Sequence, residues 1–468
     1  MFTLLTISGT MAWLIFFKDG KLLSYSNSSA QYAVHKFELK PGISLTCIET
    51  DKFKSGCLTI NMLTQLRQET AALNALLPRV LRRGSSKLQD MQSISAALDD
   101  LYGVRVEPIV RKKGEVHSLG FYADFVDDCY IHEDESILEN SIDIVGEILT
   151  SPYMDNDFLS QDYTESEKAN LIDDIRAVIN DKQGYATNRL LEEMCNDEAF
   201  GISKLGTEEE ARSITYQTLT THYHDVINNS RIEIIYCGSA EPNRVVAAFK
   251  STFSSLSARP DAVVPKTSII YSPISDTVRR FEEKLDVSQG KLVIGFRMGD
   301  TMKDPDFTTL VLLNAIYGGS ITSKLFLNVR EKLSLCYYAS SMIDKFKGIM
   351  LVSSGVEFSN FEVAFDEILS QLSNVQRGEI SDWEFTSAKR SIVTSAKSAL
   401  DRPGGIEELY FDSAISEFPY DPLDLSNMVQ DVTLENVIAA ASGIKIDSVY
   451  LLSGFEDIAD GGETIETN

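Results

Sequence analysis

The sequence predicts an α+β chain of two homologous halves, each a mostly antiparallel sheet packed with helices. Three observations lead there. The same order of strands, helices and turns occurs twice at a nearly constant offset. Consecutive strands are joined by short turns and followed by helices, which favours helices layered on one face of a mixed sheet. No GxGxxG or GxxxxGK[ST] follows a strand, so nothing asks for a doubly wound nucleotide-binding sheet.

The elements repeat in order. Cys57 to Met62 (CLTINM) alternates as a half-buried strand, and Leu292 to Arg297 (LVIGFR) is its counterpart 235 positions later. A helix follows each: Ala71 to Arg83 stops at Gly84, and Phe307 to Tyr317 stops at Gly318 and Gly319, with Gly84 and Gly319 again 235 apart. A second helix leads to a tyrosine junction, LDDLYG from Leu98 and LSLCYY from Leu333. Lys-Gly turns come next, at Gly114 and Gly348. Strands starting at His117 and Ile349 then run into amphipathic helices at Ser136 to Leu149 and Asn360 to Leu372. Ser381 and Glu384 have capping-box spacing for the next helix of the second half. Each half closes with a helix entered at a threonine (Thr215, Thr433) and a strand ending at Gly238 or Gly454. Between the halves, Pro260, Pro265 and Pro273 mark a linker, because proline fixes φ and withholds an amide donor. The expected organisation is an N-terminal extension (1–34), a first domain (35–253), a linker (254–275), a second domain (276–455) and an acidic tail (456–468).

The 468 residues include 43% hydrophobic ones, enough for real cores. Acidic residues outnumber basic ones 69 to 43, a formal charge of −26 that repels a phosphate backbone and an anionic membrane surface, so no nucleic-acid partner is expected. The six cysteines, Cys47, Cys57, Cys129, Cys195, Cys237 and Cys336, form no CxxC pair, and a reducing cytoplasm fits them best. Met1 to Phe17 is apolar but has no basic start and no cleavage site, and Lys18 and Asp19 follow at once. It reads as an N-terminal extension, with a weak membrane anchor as the lesser reading; no stable membrane insertion is expected.

Gly318 to Ser341, GGSITSKLFLNVREKLSLCYYASS, is the most specific string in the chain. It resembles the C-terminal homologous domain of the M16 (pitrilysin/insulinase) peptidases, in which a Gly-Gly-Ser loop leads into a helix, an Arg-Glu-Lys stretch and a tyrosine seven residues beyond the arginine. Arg330 and Tyr337 keep that spacing. With the repeated element order, the resemblance covers roughly residues 35 to 455 and is closest to bacterial M16B chains that pair with a zinc-bearing sister. It implies that Arg330 and Tyr337 bind the substrate backbone beside a zinc site. The chemistry is sensible, since guanidinium and phenol are directional donors suited to a scissile carbonyl. The bland alternative is a surface ion pair between Arg330 and Glu331 with Tyr337 packed in the core. Tyr338 is the rival phenol.

M16 peptidases carry His-x-x-Glu-His on the helix that ends at this glycine; the two histidines share a face and bind zinc while the glutamate acts as base. Counted back from Gly84, those positions hold Ala75, Pro78 and Arg79. None can do the job, and a guanidinium repels a divalent cation. The apolar stripe of Leu73, Leu76, Leu77, Val80 and Leu81 says the helix survives, with Pro78 removing a backbone bond and kinking it. The family's third ligand is a glutamate in a Glu-x6-Glu arrangement on a later helix; Glu167 and Asp174 keep the spacing and read as ordinary helix-surface acids. His35, His117 and His132 are isolated, and His222 and His224 point to different faces if helical. Cys336 reads as a small buried hydrophobe.

The expectation is therefore a non-catalytic subunit of a heterodimeric M16B zinc metallopeptidase, inactive alone. It has no metal site of its own, and zinc is expected in a homologous partner carrying HxxEH. Arg330 and Tyr337 would position a peptide substrate there. The alternative is an inactive M16-like scaffold or peptide-binding protein.

Overall fold

The computed structural model describes residues 5–7, 10–12, 23–25, 32–131, 136–418 and 421–455. Most of the N-terminal extension, His132 and the acidic tail lie outside the described residues. Among the described residues, no helix is long and apolar enough to cross a membrane.

The first half holds strands β1 (Leu23–Tyr25), β2 (Ala33–Lys40), β3 (Ile43–Glu49), β4 (Ser55–Gln65), β5 (Arg105–Lys113), β6 (Val116–Val126) and β7 (Arg231–Gly238). They form one sheet in the order β1-β2-β3-β7-β4-β6-β5. Its helices are α1 (Gln68–Leu81), α2 (Met91–Asp100), α3 (Ile137–Thr150), α4 (Gln161–Ala177), α5 (Lys182–Met194), α6 (Tyr216–Asn229) and α7 (Pro242–Thr252). The second half holds β8 (Arg279–Lys284), β9 (Gly290–Arg297), β10 (Cys336–Asp344), β11 (Ile349–Val356) and β12 (Lys445–Ser453) in the order β8-β12-β9-β11-β10. With it go helices α8 (Phe307–Tyr317), α9 (Leu325–Lys332), α10 (Phe361–Gln376), α11 (Asp382–Ala399), α12 (Pro403–Ser416), α13 (Pro422–Asp431) and α14 (Leu434–Gly443).

The two sheets share one topology: β3-β7-β4-β6-β5 matches β8-β12-β9-β11-β10, each with a single parallel pair (β3 with β7, β8 with β12) and antiparallel pairs elsewhere. The expected fold class holds. The threonine-entered helices α6 and α14 both open with reciprocal side-chain caps, as does α11 at Ser381 and Glu384. Helix α1 runs from Gln68 to Leu81 through Pro78.

Strand alternation places Leu58, Ile60 and Met62 of β4 in the main core of the first half, under α1, α3 and α6. The other face of β4 carries Cys57 and Leu63, and the helix covering it comes from the second half: Ile406, Tyr410, Phe411 and Ile415 of α12 pack there. The exchange is reciprocal. Ala186, Leu190 and Met194 of α5, spaced to form one helical stripe, pack on Val293, Leu351, Tyr450 and Leu452 of the second sheet. Gly295 of β9 makes room for it, since a Cβ there would sit 2.4 Å from Met194 Sδ. Helices thus lie on both faces of each sheet, not on one face as the sequence pattern suggests, and the second layer is lent by the other half. Four buried side chains of α12, at about 1.5–3 kcal/mol each, make this a substantial bond between halves.

Ionic contacts reinforce it. Buried Arg297 donates to Asp447 Oδ2 at 2.9 Å and to Glu198 Oε1 at 2.6 Å. Arg111 binds both oxygens of Glu407, at 2.9 and 3.1 Å, and Thr59 donates to the same carboxylate at 2.7 Å. The two Lys-Gly turns, both with glycine at positive φ, face each other: Lys347 reaches Glu115 at 2.5 Å and Glu198 at 2.6 Å. The linker is strapped to this junction. Glu115 N donates to Thr267 Oγ1 at 2.9 Å, and Arg259 donates to Ile227 O near the end of α6 at 2.7 Å.

Candidate functional site

On α1, Ala75 and Pro78 are buried and Arg79 stands at the rim facing α4. Arg79 Nη1 pairs with Asp174 Oδ2 at 2.7 Å, and one turn on Arg83 Nη1 pairs with Glu167 Oε1 at 2.7 Å. Asp174 is the exposed surface acid that the sequence suggests, whereas Glu167 is largely shielded; seven residues apart on α4, both reach the arginines of α1's C-terminal end. The Glu167 side chain is only 13% exposed, and the Tyr163 ring lies under the Arg83 guanidinium at 5.1 Å. Between the two, Arg82 Nε donates to the carbonyl of Val106 on β5 at 2.9 Å. Zinc does not fit these residues. Two of the three motif positions lack a lone pair, and the third already holds a cation against the acid of the neighbouring helix.

Beside this position lies a polar cluster that spacing did not reveal. Asn74 Oδ1 accepts from His222 Nε2 at 2.8 Å, and Asn74 Nδ2 donates to His117 Nδ1 and Thr64 Oγ1, each at 3.0 Å. His117 and His222, far apart in sequence, thus share one asparagine. These bonds fit neutral rings protonated on Nε2, and burial pushes both imidazoles down to about 4. His224 faces away from the core, as helical spacing requires. Among the described residues, no group of three histidine, cysteine, aspartate or glutamate side chains is placed to hold a metal.

The second region lies at the edge of the second sheet. Helix α9 ends in wide, i to i+5 turns, with Leu333 N bonded to Asn328 O at 3.1 Å. Ser334 then takes a positive φ of 52° and the chain turns into β10. Cys336 pairs with Val356 and Tyr338 with Gly355, so Tyr337 is the extra residue of a β-bulge. The bulge aims Tyr337 outward, 62% exposed, whereas Cys336 is buried and Tyr338 is half-buried beside Ser353. Tyr338 is thereby excluded as the outward phenol. Arg330 Nε donates to the Tyr337 carbonyl at 2.9 Å, its Nη1 pairs with Glu331 at 2.8 Å, and its guanidinium stacks on Phe326 at 4.7 Å.

The structure thus brings Arg330 and Tyr337 together, lining a pocket of about 420 Å³ with Glu331, Ser334, Leu335, Cys336 and Glu357. The Arg330–Glu331 pair of the bland reading is present; the core position for Tyr337 is not. Glu357 is the residue the sequence did not single out. It accepts the Tyr337 hydroxyl at 2.6 Å, and that bond raises the phenol pKa. No spacing in the sequence marks it: the strands are antiparallel, so the residues after Cys336 and Val356 step in opposite directions, and the pair forms only in the folded chain. Burial raises the Cys336 thiol, which is no nucleophile.

The comparisons with known proteins point one way. Residues 213–392 match the family described as Peptidase M16 inactive domain. The chain is 31% identical over 415 residues to the probable inactive metalloprotease YmfF of Bacillus subtilis, covering 89% of this chain and 96% of that protein. The uncharacterized zinc protease YmxG of the same organism is 26% identical over 207 residues, 43% of this chain and 48% of its own length. Among solved structures, a conserved protein from Enterococcus faecalis superposes with a TM-score of 0.83 at 26% identity, covering 90% of this chain and 99% of that one. A peptidase M16 inactive domain from Pseudomonas fluorescens gives 0.74 at 15% identity, over 90% and 98% of the two chains.

Proposed function

The chain belongs to the peptidase M16 family as an inactive metalloprotease homologue, and from that membership we propose that it serves as the non-catalytic subunit of a heterodimeric M16 zinc peptidase. One contrast carries the reading. The motif helix has exchanged its zinc chemistry for the Arg79–Asp174 pair, while Arg330 and Tyr337 are kept together at an open pocket. A chain with no peptide to hold has no use for that second arrangement.

In the proposed assembly a homologous HxxEH subunit supplies the zinc that activates water, and this chain positions the peptide. Tyr337 turns its hydroxyl from Glu357 to a peptide carbonyl, exchanging one exposed hydrogen bond for another. Arg330 spends Nε and Nη1 internally, and its remaining guanidinium donors on Nη2 are directed to a peptide oxygen. Phe326 beneath the guanidinium and the bulge behind Tyr337 fix both donors before the peptide arrives.

The test mixes this chain, zinc and a candidate HxxEH sister with a fluorogenic peptide. Arg330→Ala combined with Tyr337→Phe is expected to lower turnover of the pair by about a hundredfold, the usual worth of a carbonyl-directed donor. Full activity of the doubly substituted pair sinks the composite site, and chelator-sensitive cleavage by this chain alone sinks its non-catalytic role. A second reading, an inactive scaffold or peptide-binding protein, is favoured by the internal satisfaction of both side chains; it predicts peptide binding without cleavage alongside any sister.

A further inference from the structure

One edge of the first sheet is β5, bonded on one side to β6 and, among the described residues, to no strand on the other. Such an edge is where an extended peptide adds to a sheet. Its outward-facing backbone groups follow from the hairpin. Gly114 and Glu115 are the two turn residues, so Lys113 and Val116 form the closing hydrogen-bonded pair, and alternation directs residues 111, 109, 107 and 105 toward β6. Val106, Pro108, Val110 and Lys112 therefore present their backbone groups to the open side.

Two of these four positions are obstructed. The Val106 carbonyl accepts Arg82 Nε at 2.9 Å, which seats the guanidinium on the open side where an added strand would lie, and Pro108 has no N–H. Arg82 is itself held in place, because Arg79 in the last turn of α1 and Arg83 just past its end are tied to α4 by the Arg79–Asp174 and Arg83–Glu167 pairs. What is left, Val110 and Lys112, is shorter than an ordinary strand pairing.

We infer that the edge of β5 beside the former metal position is closed to an added peptide strand, with Arg82 as the residue that closes it and Pro108 as its second element. This rests on the proposed function, in which the assembly holds a peptide.

Hydrogen exchange on the full chain tests it, with and without a saturating fluorescein-labelled, lysine-rich unstructured peptide. Residues 105–113 are expected to gain no protection in the native chain. In the Arg82→Ala, Pro108→Val variant the same residues gain protection, and the peptide binds about tenfold tighter by anisotropy, the worth of one or two backbone hydrogen bonds. Protection of 105–113 in the native chain overturns the inference, as does a folded double variant that gains neither protection nor affinity. Should the double variant fail to fold, Arg82→Gln, which keeps Pro108, is expected to show a smaller gain, and its absence counts equally against the inference. The two readings fail separately: a protected native edge leaves the Arg330 and Tyr337 assay standing, and a pair indifferent to those two residues leaves the closed edge standing.

Discussion

Replacing Arg297 by methionine is expected to cost the folded chain about 1.5–3 kcal/mol, the worth of buried charged hydrogen bonds and a sizeable share of the 5–15 kcal/mol typical of a domain. Methionine roughly keeps the volume but removes the cation. Arg297 is fully buried and binds Asp447 at 2.9 Å, Glu198 at 2.6 and 3.2 Å, and the Met194 carbonyl at 3.2 Å. Glu198 keeps Lys347 and Asp447 keeps Arg279, at 2.6 and 2.5 Å, so neither carboxylate is left alone. The loss is therefore that of one buried partner and not of the whole network. Because Glu198 belongs to one half and Asp447 to the other, the substitution loosens the junction itself. Urea unfolding followed by circular dichroism measures it, and the exchanged helices predict one cooperative transition in the native chain. A loss below about 1 kcal/mol, the range of an exposed pair, refutes the reasoning, and so do two well-separated native transitions.

Acid is expected to weaken the fold before the carboxylates titrate. His117 and His222 sit near 4 when folded against 6.5 when free, so the unfolded chain takes up protons first, and the stability they contribute is lost as pH falls from about 6.5 toward 4. Thermal melts across that range check this; a flat Tm refutes it, and an Asn74→Leu variant should change the profile. Cleaving the backbone within residues 254–275 is expected to leave the two halves associated on size exclusion, because α5 and α12 stay seated on the opposite sheets. Halves that separate as stable, soluble pieces contradict the exchange.

The repeat was legible because it is written in local signals. Alternation marked β4 and β9, the Lys-Gly turns marked both hairpins, and threonine caps marked α6 and α14, each recorded within a few residues. The lack of metal-binding side chains at Ala75, Pro78 and Arg79 was equally local. What escaped depends on contacts between distant residues. The stripe of Ala186, Leu190 and Met194 says that α5 buries a face but not which sheet it buries it against. Asn74 joins His117 to His222 only once α1, β6 and α6 are packed. Glu167 looked like a surface acid because its partner, Arg83, lies far from it in sequence at the end of α1. The outward aim of Tyr337 comes from a bulge, which no side-chain pattern announces.

The exchange of helices also sets a timetable for biosynthesis. The first sheet is complete once Gly238 has been made, but the helix that shields its second face starts at Pro403, some 165 residues later. At about 5–20 residues per second, the ribosome leaves that face bare for roughly ten to thirty seconds. During that interval Ile48, Cys57, Leu63 and Ile235 lie open to water and to neighbouring nascent chains. Synthesis of α12 ends the interval, so a ribosome stalled in the second half leaves a first half whose sheet is formed and half uncovered.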